Sequence, residues 1–103
     1  VTTGTTNGPT DLARVQTFDI VRALADRTRW AIVRQLWETP EKACGTFGVD
    51  VSASTLTHHF AVLREAGVIS QRPEGNRKMT TLRAEDLEAR FPGLLGALME
   101  EGG

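Results

Sequence analysis

With 103 residues, 40% of them hydrophobic and 24% charged, the chain has the composition of one ordinary globular domain, and no stretch approaches the roughly 18 apolar residues of a helical membrane span. One cysteine, Cys44, excludes an internal disulfide and fits a reducing cytoplasm, the expected location. A formal charge of −1 argues against a uniformly basic nucleic-acid binder, yet the charge is uneven: residues 44–83 hold five basic and three acidic side chains and both histidines, whereas residues 84–103 hold one and five.

Residues 1–9 are rich in Thr, Gly and Asn, lack the basic start and apolar run of a signal peptide, and read as a flexible leader to a single domain over residues 10–103. A first helix is predicted over Thr10–Ala25, with Thr10 as N-cap and Asp11 in the first turn. Leu12, Val15, Phe18, Val21 and Leu24 recur every three residues along it, and Ile20 widens the stripe beyond one face. That surplus of apolar surface calls for a second subunit, so Leu12, Val15 and Phe18 are expected at a homodimer interface with Leu94 and Leu98 of the last helix. Asp26 then caps a second helix from Arg27 to about Glu38, stopped by Pro40. Trp30, Val33 and Trp37 share one of its faces and Ile32 and Leu36 an adjoining one, and both tryptophans read as core volume.

Glu41–Val51, interrupted by Gly45 and Gly48, has room for one or two irregular helical turns. Ser52 caps a third helix over about Ala53–Ala66, ended by Gly67, with Leu56, Phe60 and Leu63 as its buried face. The period then changes to 2: Val68–Arg72 and Arg77–Leu82 are the predicted strands of a hairpin around Pro73–Asn76. Helix returns at Ala84, with Glu85, Asp86 and Glu88 near its N-terminal end and Leu87, Phe91, Leu94, Leu95 and Leu98 apolar, kinked or split at Pro92-Gly93.

Helix, helix, tight turn, helix, hairpin, helix is the order of a winged helix-turn-helix, so the fold class is mainly α with a small β-hairpin. Ala23-Leu24-Ala25-Asp26-Arg27-Thr28-Arg29 resembles the ALADPTR signature of ArsR-family repressors, with Arg27 where the family usually has proline. Val51–Phe60 and Ala61–Ile69 resemble the family's recognition-helix block, and Glu74-Gly75 with Arg77 stands where it carries the wing turn. The likeness covers roughly residues 20–98. It implies a sequence-specific DNA-binding transcriptional regulator, a dimeric repressor on an inverted-repeat operator in double-stranded DNA.

With Leu56, Phe60 and Leu63 turned inward, Ser54 and His58 point outward and Thr55 and Thr57 flank them. Short hydroxyls and imidazole can bond base edges or phosphates when a helix enters the major groove, so these four are expected at the DNA. Ser54 and Thr55 have a second reading as helix-start residues, and His58 as a solvated side chain. His59, beside the buried stripe, is expected to pack against the second helix. Arg64 on the recognition helix and Arg72, Arg77 and Lys78 on the hairpin are expected to supply phosphate contacts, with solubilising surface charge as the alternative.

Many ArsR-family members sense metals through Cys-x-Cys on the first helix of the helix-turn-helix, or through His and carboxylate pairs on the last helix. Here Cys44 stands alone, and the last segment has carboxylates but no histidine, so no metal or other cofactor is expected. Cys44 reads as a small apolar residue against the core, with a redox switch as the alternative. A small-molecule effector of unstated kind stays open. Cys44 and His58 are the one nucleophile and base that an enzyme could use, and their place on a DNA-reading segment makes catalysis unexpected. The rival is a winged-helix module that contacts protein rather than DNA.

Overall fold

Local capping chemistry sets where the helices begin. In the computed structural model, which describes residues 10–100, Asp26 accepts the backbone N–H groups of Thr28 at 2.9 Å and Arg29 at 3.0 Å and starts α2, Arg27–Glu38. Ser52 Oγ accepts the Thr55 N–H at 3.2 Å and starts α3, Ala53–Glu65. The leader expected over residues 1–9 lies outside the described residues.

The predicted first helix is broken. Asp11, not Thr10, caps a single 3-10 turn at Leu12–Arg14, the chain is extended at Val15 and Gln16, and α1 spans only Thr17–Leu24. Side chains from the far end of the sequence explain the break. Arg90 donates to the carbonyls of Leu12 (3.2 Å) and Val15 (3.0 Å), and Arg83 to that of Thr10 (2.7 Å), so guanidinium groups stand where an α-helix would place N–H groups four residues on, and the Leu12 carbonyl keeps only the 3-10 bond from the Val15 N–H at 3.1 Å. Thr10 Oγ1 donates instead to the Arg64 carbonyl at 2.7 Å, pinning the N-terminal segment to the end of α3. Asp19 accepts the Gln16 N–H at 2.8 Å and restarts the helix.

After α2, Pro40 is followed by a strand that periodicity did not suggest, β1, Glu41–Ala43. Its three residues are too few to show alternation. One 3-10 turn, Cys44–Thr46, follows, the lower of the one or two irregular turns expected here. Phe47, 4% exposed, then meets Phe60 of α3 edge-on with ring centroids 5.5 Å apart.

The end of α3 is a Schellman motif: the Val68 N–H donates to the Leu63 carbonyl and the Gly67 N–H to that of Arg64, both at 3.0 Å, with Gly67 left-handed at φ +82°. A Cβ on Gly67 would lie 2.3 Å from Leu12 Cδ2, so the same glycine admits the N-terminal turn. The hairpin strands are β2, Ile69–Glu74, and β3, Arg77–Leu82, and the sheet is antiparallel in the order β1-β3-β2. The turn is shorter than expected. Glu74 pairs with Arg77 around Gly75-Asn76, and Pro73 remains in β2, where an edge strand tolerates its missing N–H. The last helix is split into α4, Ala84–Arg90, and α5, Leu94–Met99, at Pro92-Gly93.

The core lies among α1, α2, α3, the base of the hairpin and α4, with Ile32, Leu36, Leu63, Val68 and Leu87 at most 2% exposed. Leu12 and Val15, expected at a subunit interface, are 8% and 5% exposed and belong to this chain's own core. The break before α1 turns them inward. Phe18 is 68% and Val21 44% exposed, while Leu94 and Leu98 are half-buried.

Candidate nucleic-acid interface

The N-terminal half of α3 is amphipathic. Leu56 is half-buried and Phe60 and Leu63 are buried, which leaves Ser54, Thr55, Thr57 and His58 exposed on the other side. The cap organises the first two. Ser52 Oγ lies 3.3 Å from Ser54 Oγ and donates to Thr55 Oγ1 at 2.9 Å, so both readings of Ser54 and Thr55 apply at once: they join the cap cluster and remain accessible. Thr57 and His58 have no hydrogen bond to other side chains or to backbone among the described residues beyond the helix ladder.

His59 faces the other way, as its place beside the apolar stripe predicted. It is 8% exposed, and its Nδ1 accepts from the Arg29 guanidinium at 3.0 Å. Because guanidinium only donates, the ring proton sits on Nε2, which lies 3.9 Å from Asp26 Oδ2. Arg29 Nε also donates to the Ala23 carbonyl at 2.6 Å, so the end of α1, the start of α2 and the middle of α3 meet on one polar cluster. Asp26 is held below its ordinary carboxylate pKa, first by the Arg29 backbone N–H and further by the Arg29 charge and the Thr28 N–H, against the opposing effect of burial.

The basic residues divide into two kinds. Arg77 and Lys78 are exposed near the tip of the hairpin and make no ion pair among the described residues. Arg72, expected beside phosphate, is instead clasped within the sheet: its guanidinium meets Glu41 at 2.8 Å and Glu74 at 2.5 Å. The strand β1, unseen in the sequence, is what brings Glu41 there. Thr81 Oγ1 also donates to Glu41 at 2.8 Å, and this bond first, with Arg72 second, lowers the Glu41 pKa. Arg64 is half-buried and donates to Gln71 Oε1 at 2.8 Å, which fixes α3 against β2. Gln71 in turn donates to Thr80 Oγ1 at 3.0 Å and Cys44 Sγ at 3.2 Å.

The structure therefore brings Ser54, Thr55, Thr57 and His58 together on one helix face, leaves Arg77 and Lys78 available, and commits Arg64 and Arg72 to internal partners. Sequence reasoning missed the clasp and the Arg64-Gln71-Thr80 chain, because both depend on strand register. Cys44 is half-buried and packs on the core, as expected, with Gln71 and Thr80 Oγ1 (3.1 Å) as polar neighbours. Among the described residues no group of three His, Cys, Asp or Glu side chains is placed to hold a metal ion.

The family model described as bacterial regulatory protein, arsR family, matches residues 26–71, from the cap of α2 into β2. YceK of Bacillus subtilis, an uncharacterized HTH-type transcriptional regulator, is 35% identical over 91 residues, covering 85% of this chain and 88% of that protein. The crystal structure of the transcriptional regulator HlyU from Vibrio vulnificus superposes with a TM-score of 0.60 at 29% identity, over 79% of this chain and 84% of that one. A solved ArsR family transcriptional regulator superposes with a TM-score of 0.63 at 20% identity, over 84% of this chain and 91% of that one, a likeness of fold alone. With both the reading helix and its hairpin in place, the chain belongs to the ArsR family and is a DNA-binding transcriptional regulator of the winged helix-turn-helix type.

Proposed function

We propose that the chain is a cytoplasmic repressor that binds an inverted-repeat operator as a homodimer, acting by occupancy and performing no chemistry. The observation that carries the reading is the face of α3: four adjacent hydrogen-bonding side chains, Ser54, Thr55, Thr57 and His58, are exposed on a helix whose other side is locked into the core. Short side chains at a helix N-terminus suit close approach to base edges, and Arg77 and Lys78 lie on a wing suited to the flanking phosphates.

The dimer is supported by Phe18 and Val21, the large hydrophobic side chains left exposed among the described residues, both on α1. Val21 and Leu98 of α5 line one common cavity, so the outward faces of α1 and α5 adjoin. With Leu12 and Val15 assigned to the core, the proposed interface is Phe18, Val21, Leu94 and Leu98. Two such subunits related by a two-fold axis would offer their α3 helices to successive major grooves.

A binding titration against the DNA upstream of the chain's own gene, repeated across salt concentrations, tests the reading. Specific binding that weakens steeply with salt is expected, because each neutralised phosphate contributes about 0.9 to the slope of log K against log salt. Binding to protein partners with little salt response, and none to DNA, would instead favour a protein-contact module. For the dimer, sedimentation at micromolar concentration should give two subunits for the native chain and one for Phe18→Glu with its fold intact.

A further inference from the structure

A reading helix and a wing touch DNA at different places, so both engage at once only if the chain itself holds their spacing. The base of the hairpin is held: Ile69 and Leu82 pair with each other across the strands and are buried. Its outer part is not, since every residue from Arg72 to Lys78 is exposed. Between that outer part and α3 lies a cavity of about 310 Å³, with Leu56 and Thr57 on the helix side and Lys78 on the strand side. Helix and hairpin therefore separate beyond their common base, and packing does not set the gap.

Gln71 lines the same cavity and pairs with Thr80 in the hairpin register. Its Oε1 accepts the Arg64 guanidinium at 2.8 Å. A guanidinium only donates, which fixes the amide orientation and turns Nε2 toward Thr80 Oγ1 at 3.0 Å and Cys44 Sγ at 3.2 Å. Thr80 is fully buried, so one end of Gln71 is anchored in the sheet and the other in the helix. Among the described residues the bond from Arg64 is the one side-chain hydrogen bond between α3 and the hairpin strands. We infer that Gln71 is a positioning residue for DNA binding, one that sets the angle of the wing to the reading helix, an assignment that rests on the DNA-binding reading. Its leverage is geometric. Arg77 lies three residues from Thr80, about 10 Å along the strand. A rotation of about 20° at the Gln71-Thr80 pair would move it by roughly 3 Å, the full length of a hydrogen bond.

A double-mutant cycle in the full chain, with Gln71→Met and Arg77→Ala on a random-sequence duplex, tests this without knowledge of the operator. Gln71→Met keeps the length of the side chain and removes its hydrogen bonds. On the native chain Arg77→Ala should flatten the slope of log K against log salt by about 0.9. On Gln71→Met, whose slope should already be flatter, Arg77→Ala should change it by less than half as much, because the wing is no longer held on phosphate. A merely structural role for Gln71 would not couple the two, since residues this far apart on opposite faces of the hairpin act additively. Gln71→Asn carries the same amide one methylene too short to span Arg64 and Thr80; it should repeat the result, and is read in place of Gln71→Met if that variant does not fold. Equal slope changes in both backgrounds overturn the inference alone. No slope change from Arg77→Ala on the native chain overturns it by taking the wing out of the interface, and a native chain that binds no duplex removes the DNA-binding reading together with it.

Discussion

His58 and Arg77 lie on the same side of the proposed interface but differ in the information they can carry. An imidazole on the outward face of α3 can reach base edges, whereas a guanidinium on the wing meets phosphates, which are the same at every step. His58→Ala should therefore cost operator binding about 1–3 kcal/mol while leaving random-sequence binding nearly unchanged, and Arg77→Ala should weaken both and flatten the salt slope by about 0.9. Equal losses from His58→Ala on the two DNAs would take it out of the reading set. Gly67 is a residue of a different kind, set by backbone rather than ligand. Its φ of +82° strains any side chain, and a Cβ would lie 2.3 Å from Leu12 Cδ2, so Leu12 would have to move. Gly67→Ala is expected to cost about 2–4 kcal/mol in chemical denaturation, from left-handed strain plus displacement of Leu12.

At the scale of elements, α2, α3 and β3 could be read from the sequence because each depends on signals a few residues apart: Asp26 and Ser52 as caps, Leu56, Phe60 and Leu63 as a face, Gly67 as a stop. The break before α1 and the strand β1 could not, because Arg90 and Arg83 make the first and pairing with β3 makes the second, across some 40 to 80 positions of chain. The exposure of the α3 face was legible for the same local reason, and the partners of Arg64 and Arg72 within the chain were not. The clasp has a consequence for the wing. Glu41 and Glu74 offset the charge of Arg72, so the β-sheet presents less positive charge to DNA than its sequence suggests. Replacing both carboxylates, Glu41→Gln with Glu74→Gln, should free one cation, tighten binding to random DNA several-fold and steepen the salt slope by about 0.9. An unchanged slope would mean that Arg72 stays out of reach of phosphate even when released.

For the molecule as a whole, the cluster of Asp26, Arg29 and His59 ties the stability of three helices to pH. Asp26 titrates below its ordinary value of 3.8 in the folded chain, chiefly because its ionised carboxylate accepts the Arg29 N–H at the start of α2. As acid is added, the unfolded chain takes up this proton before the native state does, so the stabilisation is complete above 3.8 and is lost as the pH falls through the lower folded value. Asparagine caps a helix about as well as aspartate but does not titrate, which separates the charge from the cap. Asp26→Asn should therefore be less stable than the native chain by up to about 1 kcal/mol at neutral pH, the scale of a charge at a helix N-terminus. In thermal unfolding followed across the acid range, the two melting temperatures should converge below 3.8. A gap that stays constant with pH would place the role of Asp26 in its hydrogen bonds alone, and the recognition helix would then owe nothing to the charge beneath it.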